Sequence, residues 1–150
     1  MKATALLILL GGCFASLVGA EPERDAPAAD LKKLQGTWVM AELEINGQQI
    51  SEEKLKDTTL VIKDDQYITK IKDKTHETTF KLDPSKDPKE IDMFFPDGAN
   101  APKVGKGIYR LDGDTFKLCR AQAPGEDRPR DFVTTADSGR FVVVWKRQKP

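Results

Sequence analysis

The sequence predicts an all-β fold, an eight-stranded antiparallel up-and-down barrel preceded by a short N-terminal helical turn. Three observations lead there. Apolar and polar residues alternate in eight short runs, the period of half-buried strands. Pairs rich in Asp, Asn and Gly separate many of these runs, and such turns are far too short for a parallel crossover. Eight short strands suit a sandwich or a barrel; sequential tight turns favour a meander, and closing the meander removes the exposed edges.

At 150 residues the chain has room for one domain. Residues 1–20 differ from the rest. Lys2 supplies a positive start, residues 3–10 an apolar run, and Val18-Gly19-Ala20 a small-residue cleavage site before Glu21. That is the build of a secretory signal peptide, and the run falls short of the roughly 20 apolar residues a membrane span needs. Leu10-Gly11-Gly12-Cys13 also resembles a lipobox that would lipidate Cys13. Against anchoring, apolar residues continue through Phe14, Leu17 and Val18, where a lipoprotein turns polar. The expectation is export to the periplasm, the cell envelope or the exterior, with no transmembrane segment.

Residues 21–30, rich in Pro, Ala and charge, read as a flexible arm. Asp30 is placed to cap a helical turn over residues 31–34, whose leucines Leu31 and Leu34 share one face. Gly36 ends that turn. The first strand is expected over residues 37–45, with Val39, Ala41, Leu43 and Ile45 on one face and Glu42 and Glu44 on the other. Asn46-Gly47 supplies a tight turn with positive φ. Ser51 opens a capped helical turn over residues 51–56. Further strands are expected at 58–63, 66–72, 76–82, 90–95, 107–111, 115–121 and 141–147. Asp64-Asp65, Asp73-Lys74, residues 83–88, Asp112-Gly113 and residues 137–139 turn the chain between them. Residues 96–106 and 122–131 read as longer loops, where function usually sits on such a scaffold. The organisation is a leader at 1–20, an arm at 21–30 and a barrel domain at 31–150.

Charge excludes whole classes of partner. Removing the leader takes away only Lys2, leaving 23 Lys and Arg against 24 Asp and Glu from the chain's 24 and 24. A near-neutral chain with interspersed signs has no footprint for nucleic acid and no polybasic stretch for a membrane surface. Cys119 has no partner once Cys13 leaves, so no intramolecular disulfide is expected and stability must come from the core. It reads as a small buried hydrophobe rather than a reactive thiol.

No enzyme signature is legible. His76 lacks an accompanying nucleophile, metal motif or orienting acid and reads as an exposed turn histidine. The paired acids Asp64-Asp65, Asp83 with Asp87, and Asp112 with Asp114 all fall in turns, which Asp favours because its side chain bonds its own backbone. One His and one mature Cys do not make a zinc site. No cofactor is expected.

The interior is more informative. Alternation points Tyr67, Thr69, Ile71, Thr78, Phe80, Leu82, Ile91, Met93, Phe95, Phe116, Leu118, Phe141 and Val143 inward. An eight-stranded barrel either fills itself with side chains or holds one small ligand. The lumen residues suited to a ligand are Tyr67, Thr69, Thr78, Phe80, Met93, Phe95, Phe116 and Phe141, with the two threonines as orienting polar groups. A lumen plugged by Phe80, Phe95, Phe116 and Phe141 would leave no room for one.

The two ends of the domain carry a recognisable pairing. Gly36-Thr37-Trp38 is a G-x-W signature entering the first strand, and Val143-Val144-Trp145-Lys146-Arg147 is an apolar last strand closing on basic residues. This resembles the calycin pattern of lipocalins and fatty-acid-binding proteins. That resemblance implies Trp38 packed across the barrel base beneath Arg147, a structural device rather than an active site. The phrases LQGTW, SEEKL, KLDPSKDPKEIDMFF, GIYRLDGDTFKLC and VVVWKR also resemble a family of small exported proteins, abundant in planctomycete bacteria, with an uncharacterised lipocalin-like domain. The family implies fold and export and supplies no site residues. The expected function is therefore non-enzymatic binding of a small apolar or amphipathic ligand by a monomer. The alternative is a protein-interaction module of the envelope, such as a protease or lysozyme inhibitor, using the 21–30 arm or a patch around Met93 to Pro96 and the following loop.

Overall fold

A computed structural model describes residues 26–150. The expected leader, Cys13 and residues 21–25 of the expected arm lie outside these. The chain runs α1 (Ala26–Leu34), β1 (Gly36–Ile45), β2 (Gln48–Gln49), α2 (Glu52–Leu55), β3 (Thr58–Lys63), β4 (Gln66–Ile71), β5 (Lys74–Asp83), β6 (Lys89–Asp97), β7 (Asn100–Asp112), β8 (Thr115–Ala121) and β9 (Arg140–Arg147). From β3 onward each strand pairs antiparallel with the next, β1 pairs with β3, and β9 returns to pair with β1. The result is a closed eight-stranded antiparallel barrel. Strand β2 is an appendage, pairing two residues with the far end of β1 after the Asn46-Gly47 turn.

An up-and-down meander gives the barrel two unlike ends. One carries α1 and the turns after β3, β5 and β7. The other carries the turns after β1, β4 and β6 and the long segment 122–139. At the first end the core is continuous: Leu34, Trp38, Leu60, Ile62, Phe80, Ile91, Tyr109 and Phe116 are all buried. Trp38 stands edge-on to Phe116 with ring centroids 6.0 Å apart, and Tyr109 does likewise at 6.3 Å. Full burial of such side chains stabilises by about 1.5–3 kcal/mol each.

Helix α1 closes this end. Trp38 Nε1 donates to Leu34 O at 2.9 Å, and the Arg147 guanidinium lies 4.2 Å over the Trp38 ring. The same guanidinium donates to Gln35 O and Lys33 O, so one basic side chain satisfies carbonyls at the helix C-terminus and faces an indole. Gln35 ties the helix to the β3–β4 turn, donating to Asp64 O and accepting from Asp64 N. Asp30 is buried and accepts from Tyr109 Oη at 2.8 Å and Lys89 Nζ at 2.6 Å. Burial pushes its carboxyl up, but the hydrogen bonds and the Lys89 charge outweigh that and hold it below its usual value.

Several expectations are corrected. Residues 26–30 already belong to helix α1 rather than to an arm. Asp30 is therefore no cap but a helix-borne anchor. Ser51 sits at the N-cap of α2 without a side-chain capping bond. In β1 the register shifts between Met40 and Glu42. This bulge turns the strand over, so Trp38 and Met40 face in before it and Leu43 and Ile45 after it, while Val39 faces solvent at 37% exposure. Residues 96–106 form no loop: β6 and β7 continue to Asp97 and from Asn100 as a long hairpin turning at Gly98, where φ is +59°. The β4–β5 turn sits at Lys72-Asp73, one residue earlier than expected.

The segment 122–139 lies along the outer wall. Arg128 donates to Ile91 O and Gly107 O and pairs with Asp92 and Glu90. Pro129 is fully buried. Phe132 packs over Ile108, Cys119 and Val142, a small core outside the barrel. Cys119 thus faces away from the lumen, and burial pushes its thiol up to about 11.

Candidate functional site

The core does not fill the other half of the barrel. Between the Tyr67–Trp145 level and the rim lies a cavity of about 690 Å³, within the range of small-molecule sites. Strand β1 lines it with Met40, Leu43 and Ile45, β4 with Tyr67, Thr69 and Ile71, and β6 with Met93 and Phe95. Leu118 and Arg120 come from β8, and Phe141, Val143 and Trp145 from β9. The wall is mostly apolar, and alternation along β4, β6, β8 and β9 supplies much of it.

Strand β7 contributes space. Its inward positions in this half are Gly105 and Gly107. A Cβ at Gly105 would come within 2.7 Å of the Phe95 ring, and one at Gly107 would lie 3.2 Å from both Arg120 Cβ and Ile91 Cγ2 and 2.9 Å from Cys119 O. The absence of these side chains lets the Phe95 ring lie flat against the wall and admits the Arg120 stem.

Arg120 is the one charged group on the inner face of β8, following Phe116 and Leu118 at alternate positions. Its guanidinium lies between two rings, 4.9 Å from the Phe95 centroid and 4.8 Å from that of Phe141. Nη1 donates to Ala121 O at 2.6 Å and Gln122 O at 3.2 Å. Nε is buried without a partner, and so is Nε1 of Trp145. No carboxylate among the described residues pairs with Arg120. Burial lowers the Arg120 pKa, which a neighbouring Tyr67 partly opposes. Burial also pushes the Tyr67 phenol up, opposed by the Trp145 indole N–H, which lies near the hydroxyl without forming a well-aligned hydrogen bond, and by the Arg120 charge.

Of the residues expected in the lumen, Tyr67, Thr69, Thr78, Met93, Phe95 and Phe141 line this cavity. Phe80 and Phe116 do not; they fill the closed end. The four phenylalanines are thus divided, two packing the base and two walling the cavity. Thr78 Oγ1 donates to Tyr67 O at 3.3 Å. His76 is exposed within β5, opposite Thr69, and stands at the cavity rim with Glu77 rather than in a turn. Ile71 is 43% exposed at the same rim. Sequence reasoning missed Arg120 and Met40. The alternation Phe116, Leu118, Arg120 was the available signal for the first; the β1 bulge hid the second.

The patch around Met93 to Pro96 does not form an apolar surface. Met93 and Phe95 face the lumen, and Phe94 lies outside beneath Lys81, 5.7 Å away. Among the described residues no group of three or more His, Cys, Asp or Glu side chains stands together as metal ligands, and no helix is long and apolar enough to cross a membrane. The chain matches no protein-family model, and neither a curated protein nor a solved structure is significantly similar to it.

Proposed function

We propose that this protein is an exported binding protein that holds a small apolar or amphipathic molecule in the open half of its barrel. The observation that supports this best is the asymmetry of the lumen. The same eight strands bury large rings at one end and leave a cavity of about 690 Å³ at the other. A barrel that needed only stability would gain by filling both, since each large buried side chain is worth about 1.5–3 kcal/mol. The leader-like residues 1–20 support export.

Titration with the neutral fluorescent probe N-phenyl-1-naphthylamine tests the reading. Saturable enhancement at one probe per chain is expected. Thr69→Trp, which places a ring in the cavity from a half-buried position, should weaken binding roughly tenfold or more while the fold stays intact by circular dichroism. A wild type that gives no saturable signal, or a signal that Thr69→Trp leaves unchanged, contradicts the reading.

A further inference from the structure

Strand pairing does not seal the cavity wall along its whole height. The β5–β6 ladder runs from Asp83↔Glu90 to Thr79↔Phe94 and ends there, although β5 reaches back to Lys74 and β6 on to Asp97. Phe80 N donates to Asp65 O on the β4 side, so alternation turns the backbone groups of Thr79 and Glu77 toward β6. In the same register Glu77 would next meet Pro96. Proline has no N–H, so the Glu77 carbonyl has no donor opposite and the strands part in a seam. Glu77, Thr78 and Pro96 line both the lumen cavity and a groove of about 320 Å³ on the outer face. The seam therefore joins the two. Their chemistry differs: the lumen is mostly apolar, whereas the groove presents Gln66, Thr79 and Asn100 above Phe94 and Pro102. Its lining carries two carboxylates, Glu77 and Asp97, and no Lys or Arg. Of the cations nearby, Lys103 pairs with Asp97 at 3.4 Å and Lys81 lies against the Phe94 ring. Such a groove disfavours an anion and matches hydroxyls, which donate and accept as these amides and the threonine do.

Resting on the reading of the lumen as a binding site, we propose that the ligand is an amphiphile with an uncharged, hydroxyl-rich head group that threads the seam. Its alkyl chain lies in the lumen against Leu43, Met93 and Val143. It crosses the wall between Thr78 and Pro96, and its head rests in the outer groove on Gln66, Thr79 and Asn100. The Glu77 carbonyl, left without a donor by Pro96, accepts from a hydroxyl of the head group. An alkyl glycoside is the simplest molecule of this class. An uncharged head without an array of hydroxyls would satisfy the lumen and leave the groove unmatched, so the hydroxyls set the selectivity.

The test displaces N-phenyl-1-naphthylamine from the full chain with decyl β-glucoside or with tetraethylene glycol monodecyl ether, each below its micellar concentration. The two share an alkyl chain and an uncharged head, but only the glucoside carries an array of hydroxyls. The glucoside is expected to compete roughly fivefold or more better. Gln66→Ala combined with Asn100→Ala, both at exposed positions, should bring the two together while leaving probe and ether binding unchanged. Equal competition in the wild type overturns the assignment and leaves the lumen reading standing, whereas failure of the probe and both competitors to bind overturns both. A glucoside preference that survives the double substitution places the head elsewhere and overturns the groove. Should that variant fail to fold, wild-type backbone amide resonances decide. Those of Glu77, Thr79 and Asn100 should shift with the glucoside, and shifts confined to the mouth at Ile71 and Phe141 count against the proposal.

Discussion

The two halves of this barrel are built from the same strands by the same alternation, yet they solve opposite problems. At the closed end Trp38, Leu60, Ile62, Phe80, Ile91, Tyr109 and Phe116 pack the lumen, and polar groups that enter are matched: Trp38 Nε1 by Leu34 O, Asp30 by Tyr109 and Lys89, Arg147 by the Gln35 and Lys33 carbonyls. At the open end glycine occupies two inward positions, and two buried donors, on Arg120 and Trp145, lack partners. Each half holds a basic side chain against aromatic rings. Arg147 is fully employed by the Gln35 and Lys33 carbonyls and the Asp114 carboxylate, while Arg120 Nε has no partner. The difference teaches that stability and recognition are separated along the barrel axis, so mutations in the two halves should have separable effects.

The largest break is expected at the base. Trp38→Ala removes a fully buried ring from beneath Arg147 and should cost about 3–5 kcal/mol, read from urea denaturation midpoints. Such a variant that remained as stable as wild type would show that the closed end does not hold the barrel together.

A smaller effect with a pH signature is expected at Asp30. Its folded-state pKa is depressed, so its stabilising contribution is present above the ordinary carboxylate range near 4 and is lost as pH falls through the folded value. Asp30→Asn should cost about 1–3 kcal/mol at neutral pH and flatten the loss of stability on acidification. Denaturation curves at neutral and acid pH check this; an unchanged acid slope would mean that other carboxylates carry it.

The smallest stability change is expected in the open half. Leu43→Ala lies on the half-buried cavity wall and should cost about 1 kcal/mol, less than a full core truncation. The same substitution should weaken probe binding measurably, whereas Asp30→Asn should leave the probe affinity of the folded protein unchanged. If Leu43→Ala instead destabilises as much as Trp38→Ala, the division between halves fails.

The barrel was legible in the sequence because its turns are written in residue chemistry. Asn46-Gly47 and Asp64-Asp65 turn where expected, with positive φ at Asn46, Gly47 and Asp64. The bulge in β1 was not legible, since an extra residue in a strand leaves no compositional mark and shows only when the partner strand sets the register. The first part of β7 read as a loop because Pro102 and Gly105 are poor strand formers. In the barrel Gly105 leaves room for the Phe95 ring and Gly107 for the Arg120 stem. Asp30 read as a cap because Asp before an apolar run usually is one; its distant partners Lys89 and Tyr109 could not be inferred from local pattern. Arg120 was obscured in a similar way, as a charge near a strand end ordinarily faces water.

The most direct test of the separation is a two-dimensional NMR titration of the folded protein with N-phenyl-1-naphthylamine. The account predicts saturable shifts at backbone amides of Leu43, Thr69, Phe95, Arg120 and Phe141, with Leu60, Ile62 and Phe116 unmoved. Shifts confined to the outer surface, or spread equally over both halves, would contradict it.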